Sequence, residues 1–435
     1  MSQNNLKEKI RKKTAKVAVI GLGYVGLPLA LEFCKAGYTV FGVEISRKKL
    51  KQLAAGDSYV LNVPGRDIVK YCKSGQLKLS SSFEVIKDAD TVSIAVPTPL
   101  RKTKDPDISY IVSAVESCRP YLHKNMLIVL ESTTYPGTTR ELIAHEIEQL
   151  GFKIGRDLHI AFSPERVDPG NQFYDTKNTP KVIGGITPKC TQMAKLLYEQ
   201  VIDQIIPVGS TEEAEMVKLL ENTFRAVNIG LVNELTLMCD RMGIDIWNII
   251  DAAATKPFGF MPFYPGPGLG GHCIPLDPVY LSWKAKTYNF YNRFIELASD
   301  INGNMPRFTV NKLARILNKR KKTINGSKIL LLGITYKSNV NDLRESPGLE
   351  IYEMLKEEGA KVSYHDPYAP SFTDAQGRSV NSLKLSASVL KTADCVVVVT
   401  AHDQYDLKLI LQNARLILDT RNQFKALKSK KIVKL

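Results

Sequence analysis

Short, uninterrupted apolar runs alternate along this chain with stretches whose apolar residues recur every three to four positions, and the alternation occurs twice. "KVAVI", "YTVFGVE", "ADTVSIAVPTP", "NMLIVLESTT", "HIAFSPE" and "PKVIGG" read as strands of the kind buried on both faces. Between the first two, "LPLALEFCKAG" has helical spacing and stops at Gly37, a residue type that ends helices. The same texture returns after Lys328 as "KILLLGI", "KVSYHDP", "ADCVVVVTA" and "RLILDTR", with a helix at "SPGLEIYEMLKEEGA". The middle is helical: "TEEAEMVKLLENTFRAVNIGLVNELTLMCDRMG", then "DIWNIIDAAAT", then a long segment from about Pro278 toward Lys322. The pattern predicts an α/β protein with two Rossmann-like, doubly wound domains joined by a central α-helical domain. The boundaries expected are a basic tail at 1–15, a first α/β domain at 16–210, a helical domain at 211–322 suited to dimerisation, and a second α/β domain at 323–435.

Composition adds little to that picture but removes alternatives. At 435 residues the chain exceeds what one hydrophobic core organises, and 44% hydrophobic with 24% charged residues is ordinary for a folded enzyme. The opening "KEKIRKKTAK" followed by "VAVIGLGYVGLPLAL" mimics a secretion signal, yet the run holds Gly21, Gly23, Gly26 and Pro28 and lacks a small-residue cleavage site. The seven cysteines are odd in number and widely separated, with no C-x-x-C pair or zinc spacing, so reduced thiols, a cytoplasmic location and no metal are expected. The formal charge of +15 fits either nucleic acid or an anionic small molecule. The excess gathers at both ends and in "NKRKKTINGSK", without a nucleic-acid recognition motif, which favours a solvated surface and the small molecule.

Two constellations carry chemistry. Gly21, Gly23 and Gly26 form a G-x-G-x-x-G turn with a strand before it and a helix after it, and Glu44 lies eighteen residues past Gly26 at the end of the next strand. Such a turn brings backbone close to a pyrophosphate at a helix N-terminus, and an acid at Glu44 accepts ribose hydroxyls and repels a 2′-phosphate, so NAD is the cofactor expected. Arg47 stands where it covers the adenosine side. The second half of the chain has no such fingerprint after its first strand.

The other constellation is dispersed. "ESTTYPGTTRE" puts hydroxyls after a strand end, where parallel sheets bind ligands, with Thr138 and Thr139 read as helix N-caps. Glu165 in "FSPERVDPG" serves either as a general base or as an ion-pair partner of Arg166 or a lysine. Lys218 and Asn222, four apart, share one helix face, where an ammonium beside an amide donor suits a developing oxyanion if buried and is unremarkable if exposed. "FYPGPGLGGHCIPLDP" sets Cys273 among four glycines and four prolines, with Asp277 four residues on. Glycines there let a substrate approach a thiol closely, whereas a lone cysteine is otherwise a small buried residue.

"GLGYVGLPLA", "ESTTYPGTT", "SPERVDPG", "KLLENTFRAVNIGLVNE", "PGPGLGGHCIPLDP" and "ITYKSNVNDLRESPGLEI" together, in that order, resemble the UDP-glucose/GDP-mannose 6-dehydrogenase family over nearly the whole chain. "KPFGFMPFYPGPGLGGHCIP" and "SPERVDPG" are most similar to members that oxidise UDP-N-acetylglucosamine for bacterial surface polysaccharides. The resemblance implies oxidation of a sugar C6 alcohol to a carboxylate with two NAD; a homodimer or higher homo-oligomer built through the helical middle, with no nucleic-acid or membrane partner, is expected. It implies that Cys273 adds to the intermediate aldehyde as a thiohemiacetal, whose oxidation leaves a thioester for water to cleave. Lys218 and Asn222 then stabilise the oxyanion, and Thr133, Glu165 and Asp277 position or activate water. Tyr24, Val25, Pro97, Thr98, Thr133 and Arg344 join the glycines at the cofactor. Arg166, Tyr264, Gly270, Lys337 and Arg421 join Glu165, Lys218 and Asn222 at the UDP-sugar. UDP-glucose enzymes tend to read C-F-P-K-D at the cysteine, whereas this chain reads Cys273-Ile274-Pro275-Leu276-Asp277, which favours the N-acetyl sugar over glucose, with UDP-N-acetylmannosamine the alternative.

Overall fold

The computed structural model describes residues 3–60, 63–101, 105–167, 171, 173–271 and 273–435, with the side chains of residues 3–5 and of Cys273 set aside. The chain forms two compact units, one of Met1–Glu221 with Val279–Phe290 and the other of Asn222–Pro278 with Tyr291–Leu435.

The first unit begins with α1 (Gln3–Arg11), β1 (Lys16–Ile20), α2 (Gly26–Lys35), β2 (Thr39–Val43), α3 (Arg47–Ala54), α4 (Gly65–Lys73) and β3 (Leu77–Ser80). It continues through β4 (Thr91–Ile94), α5 (Ser109–Cys118), β5 (Leu127–Leu130), α6 (His145–Gln149), β6 (His159–Phe162), β7 (Lys181–Gly185), α7 (Pro188–Tyr198), β8 (Ile205–Pro207) and the start of α8 (Thr211–Met242). The strands form one sheet in the order β3-β2-β1-β4-β5-β6-β7-β8, parallel except where β6 meets β7. The apolar runs of β1, β2, β4, β5, β6 and β7 are buried, as strands covered by helices on both faces must be, whereas those of the edge strands β3 and β8 are partly open. Register sets the site: Ile20 lies opposite Val43 and Ile94, and Leu130 opposite Ile94 and Phe162, so the loops after these strands leave from one edge.

The segment expected to be a solvated basic tail is instead the helix α1. Leu6 and Ile10 alternate at helical spacing and are buried in the core, Lys9 pairs with Asp90 at 2.6 Å, and the Tyr38 hydroxyl donates to the Ile10 carbonyl at 2.7 Å. Lys7 and Lys9 are half-buried while its two large apolar side chains are buried, so charge along the segment hid a docked amphipathic helix.

A second correction concerns Thr138 and Thr139, which do not cap a helix with their hydroxyls. The Thr138 hydroxyl donates to the Tyr135 carbonyl at 2.7 Å. Thr139 gives both its N–H and its hydroxyl to the buried Glu215 carboxylate, at 2.8 and 2.7 Å, and Gly137 gives its N–H at 2.6 Å. The cap is therefore supplied from afar by α8 and ties that helix to the turn after β5. Burial outweighs these bonds and pushes the Glu215 carboxyl up to about 7.

The second unit takes the rest of α8, then α9 (Ile246–Ala253), the start of α10 (Cys273–Lys286), whose remainder from Val279 belongs to the first unit, α11 (Arg293–Asn318), β9 (Lys328–Leu332), α12 (Pro347–Glu357), β10 (Lys361–His365) and the hairpin β11 (Ser371–Thr373) and β12 (Ser379–Asn381). It ends with α13 (Ala387–Thr392), β13 (Cys395–Val398), α14 (Leu407–Asn413), β14 (Ile417–Asp419) and β15 (Ile432–Lys434). The five-stranded sheet, β10-β9-β13-β14-β15, is parallel throughout. The single helix expected from Pro278 to Lys322 is two helices, and α10 starts earlier, at Cys273. Asn289 ends α10 with a left-handed φ of +56°, a common way to stop a helix, and the Phe290 N–H returns to the Ala285 carbonyl at 3.0 Å.

Two stability outcomes follow from the first unit. Ile10→Ala removes a fully buried side chain from α1 and lowers unfolding free energy by about 2–4 kcal/mol in a denaturant titration of the full chain. Glu215 holds its proton more tightly when folded, so its contribution is present below its unfolded value of about 4.5 and lost as pH rises toward about 7, a span worth on the order of 3 kcal/mol. Melting temperatures of the wild type and Glu215→Gln across that range check it: their difference changes with pH, and a constant difference refutes the assignment.

Candidate active site

The three glycines of the first turn have three different physical reasons. Gly21 has φ +87°, and a Cβ there would lie 2.5 Å from the Ala95 carbonyl oxygen. At Gly26 a Cβ would lie 2.0 Å from the Gly21 carbonyl oxygen, so α2 presses backbone to backbone on the turn. Gly23 has nothing within 4 Å of its Cβ position, which leaves its backbone approachable from outside. α2 starts at Gly26 with no side-chain cap, and Tyr24 is exposed while Val25 is half-buried. An uncapped helix N-terminus behind an open glycine suits a pyrophosphate.

Glu44 is buried just after β2, with Oε1 accepting the Ser46 N–H at 3.0 Å and Oε2 3.8 Å from the Lys49 ammonium. Arg47 is exposed at the first turn of α3, which Ser46 caps. Pro97 is exposed just beyond β4 and Thr98 is buried, its carbonyl accepting from the Tyr280 hydroxyl at 2.8 Å. These residues fit NAD: glycines for the phosphates and a carboxylate at the ribose.

Farther along the same edge, Thr133 is half-buried after β5. Glu165 accepts the backbone N–H of Arg166 and Val167 with one oxygen, at 2.8 Å each. The pairing of Glu165 with Arg166 left open by the sequence is not formed. Arg166 instead meets Glu221 at 2.6 Å and the Pro180 carbonyl at 2.8 Å. Lys218 is half-buried on α8, one turn beyond Glu215. Asp168, Pro169 and Gly170 of the same motif lie outside the described residues.

Beneath Thr133 and Glu165 sits a network that sequence reasoning missed. Glu131, fully buried, accepts from the Lys181 ammonium at 2.7 Å and makes a short bond with the Tyr198 hydroxyl, which in turn meets Ser93 at 3.2 Å. Burial pushes the Glu131 carboxyl up against the pull of Lys181. A lysine opening the apolar strand "KVIGG" was the available signal.

In the second unit, the buried Asn222 donates its amide to the buried Asp277 carboxylate at 2.5 Å, so the amide–aspartate pair is preassembled. Asp277 lies one turn into α10, the helix that Cys273 begins, and the Cys273 side chain and His272 lie outside the described residues. The glycines of this loop were expected to admit the substrate, and they admit the protein itself. A Cβ at Gly266 would lie 2.3 Å from the Arg421 guanidinium, at Gly268 2.9 Å from Pro347, and at Gly270 and Gly271 2.6 Å from Tyr336. Each hydrogen on those α-carbons makes room for a side chain of the unit's own α/β half.

Arg421 follows β14 and is wedged under that loop, its Nε donating to the Val399 carbonyl at 2.9 Å. Burial draws its guanidinium down to about 10, the response of a cation short of water. Lys337 is half-buried after β9. Arg344 is exposed, with its guanidinium on Asp342 at 2.6 Å and its carbonyl accepting the Gly271 N–H at 2.9 Å. Tyr264 stacks on Trp247 and donates to Asp251 at 2.7 Å. Thr133, Glu165 and Lys218 fall in the first unit and Asn222, Asp277, Lys337, Arg344 and Arg421 in the second.

Comparison with known proteins identifies the family. Profiles of the UDP-glucose/GDP-mannose dehydrogenase family match in sequence: the NAD binding domain at residues 15–202, the central domain at 212–304 and the UDP binding domain at 330–426. A UDP-N-acetyl-D-mannosamine dehydrogenase of Methanococcus maripaludis strain C7 is 36% identical over 421 residues, 94% of this chain and 92% of that one. A UDP-N-acetyl-D-glucosamine 6-dehydrogenase of Pseudomonas aeruginosa is 36% identical over 358 residues, 82% of this chain and 83% of that one. The solved UDP-D-ManNAc dehydrogenase of Pyrococcus horikoshii superposes with a TM-score of 0.88 at 32% identity, covering 96% of this chain and 98% of the other. The chain belongs to the UDP-glucose/GDP-mannose dehydrogenase family and is an NAD-dependent UDP-sugar dehydrogenase.

Proposed function

We propose that the enzyme oxidises the C6 alcohol of UDP-N-acetylglucosamine to the carboxylate in two steps, yielding UDP-N-acetylglucosaminuronate for surface polysaccharide. The preassembled Asn222–Asp277 pair one turn from Cys273 carries the reading, because it sets a fixed donor and a carboxylate at the start of the cysteine's helix. NAD, held at Gly21, Gly23, Gly26 and Glu44, supplies the hydride acceptor for both oxidations.

The residues divide the remaining work. Cys273 loses its proton, and its sulfur bonds to the C6 aldehyde carbon to give a thiohemiacetal, which becomes a thioester on the second oxidation. Water then cleaves the carbon–sulfur bond, releasing the carboxylate and restoring the thiol. Lys218 and Asn222 stabilise the oxyanion of each tetrahedral stage, while Thr133, Glu165 and Asp277 hold the water and take its proton. Arg421 and Lys337 bind the diphosphate, with Arg166, Tyr264 and Gly270 toward the rest of the UDP-sugar; Arg344, Tyr24, Val25, Arg47, Pro97 and Thr98 serve the cofactor.

A homodimer is part of the proposal. Exposed Leu220, Phe224, Leu231, Met238 and Met242 lie four or seven residues apart along α8, an apolar stripe of helical period that a second copy would cover. We place the divisions of the chain at 16–210, 211–322 and 323–435 and the reaction in the cytoplasm, where the six described cysteines stay free thiols.

A second reading, with UDP-N-acetylmannosamine as substrate, is supported by the names of relatives matched along 94% of the chain. Turnover of UDP-GlcNAc, UDP-ManNAc, UDP-glucose and GDP-mannose, followed by NADH release, separates the two. The expected kcat/KM favours UDP-GlcNAc over UDP-glucose by roughly tenfold or more. A preference for UDP-ManNAc installs the second reading, and a preference for UDP-glucose or GDP-mannose removes both.

The chemistry is tested by stoichiometry. Two NADH appear per sugar, and Cys273→Ala lowers kcat for uronate formation by roughly three orders of magnitude. One NADH per sugar with a free aldehyde product would sink the thioester route, as would full uronate turnover by the variant.

A further inference from the structure

The segment 333–340 after β9 carries Tyr336 and Lys337, and buried groups grip it at both ends. At its start, Asp366 Oδ2 accepts the N–H of Ile334 at 2.7 Å and of Thr335 at 3.1 Å. The Thr400 hydroxyl donates to the Thr335 carbonyl at 2.5 Å. At its far end the Asn339 N–H donates to His402 Nδ1 at 3.0 Å, while His402 Nε2 faces Asp366 Oδ2 at 3.1 Å. Because Nδ1 accepts, the ring proton resides on Nε2 and is given to Asp366, so one neutral imidazole spans the two ends of the segment. Asn339 is held with φ +62°, a conformation costly to a non-glycine residue that persists only where its surroundings impose it. His402 and Asp366 are almost wholly buried, and Tyr368 and Tyr405 pack on the imidazole.

What that grip holds in place is Tyr336. Its ring carbon occupies the space 2.6 Å from where a Cβ of Gly271 would stand, and its own Cβ lies as close to that of Gly270. Gly271, with φ +84°, is further fixed by its N–H on the Arg344 carbonyl. Two residues later α10 begins at Cys273.

We propose that His402 is a positioning residue for the nucleophile loop, acting through Tyr336: the neutral imidazole locks segment 333–340, and Tyr336 seats Gly270 and Gly271 so that Cys273 starts its helix in one place. The proposal rests on the reading of Cys273 as nucleophile. A rigid ring with an acceptor on one side and a donor on the other joins Asn339 to Asp366 in a single step. Glutamine carries both a donor and an acceptor, but on a flexible chain that does not hold them across the two ends as the rigid ring does.

The test uses His402→Gln, Tyr336→Ala, their double variant and Tyr336→Phe in the full chain. Two readouts are taken: steady-state kinetics, and the rate of iodoacetamide alkylation at Cys273 followed by mass spectrometry without substrate. His402→Gln and Tyr336→Ala should each lower kcat about tenfold with KM for NAD within about twofold of wild type, and the double variant should be no worse than the poorer single by more than about twofold. Both singles should alkylate faster than wild type by about threefold or more, and Tyr336→Phe, which keeps the ring, should alkylate as wild type does. Multiplying effects in the double variant, or alkylation unchanged in Tyr336→Ala, overturn the proposal. If His402→Gln does not fold, alkylation of Tyr336→Ala against Tyr336→Phe decides alone. A wild type that releases one NADH per sugar defeats the thioester reading instead, and leaves the alkylation results to stand by themselves.

Discussion

A carbonyl oxygen, that of Gly21, stands 2.0 Å from where any side chain at position 26 would begin, and the cofactor half of the enzyme depends on that contact. With α2 pressed onto the turn, its first N–H groups emerge beside Gly23, the one glycine of the three whose Cβ position is open. A methyl at position 26 would lever the helix away and carry those donors with it. The level register of β1, β2 and β4 then puts Glu44 and Pro97 on the same edge as the turn. Phosphate and ribose recognition are thus consequences of how closely one helix approaches one strand.

The second unit uses the same device for another end. Four glycines let a loop lie flat against Arg421, Pro347 and Tyr336, and its continuation is the helix of Cys273 and Asp277. Glycine there offers closeness rather than flexibility. The loop of Cys273, proposed as the nucleophile, is built on the α/β half whose arginine and lysine are proposed to hold the nucleotide, so in that reading substrate binding and thiol placement share one foundation.

Much of this was legible in the sequence because it is local. Buried parallel strands announce themselves as apolar runs, and the G-x-G-x-x-G turn has its strand, helix and acid within thirty residues. Lys218 and Asn222 on α8, and Cys273 with Asp277, were likewise readable from spacing. What failed was long-range or masked by charge. Leu6 and Ile10 were lost among lysines, although their spacing is helical. The threonines of "YPGTT" looked like caps because hydroxyls usually cap locally, and nothing within the segment indicates a carboxylate 76 residues away. The break between α10 and α11 turns on a single asparagine in a left-handed conformation, which its neighbours do not signal.

The residues missed, Glu131, Glu215 and Asp366, share a physical character with Asp277, which spacing had revealed. Glu131, Glu215, Asp277 and Asp366 are carboxylates buried in loops or helix turns at the sites, and each is satisfied differently: by a lysine and a tyrosine, by backbone N–H groups and a threonine, by an asparagine, and by backbone with a histidine. Burying a carboxylate costs several kcal/mol unless its acceptors are filled, so each is tolerable in only one arrangement of the chain around it. An apolar contact in the same place would permit sliding, whereas a carboxylate with fixed donors permits almost none. That intolerance is useful where segments from distant parts of the sequence must be held in one place within each unit. Three of the four take most of their donors from backbone or neutral side chains, which fixes position without adding a second charge beside a site that has to receive an anionic substrate.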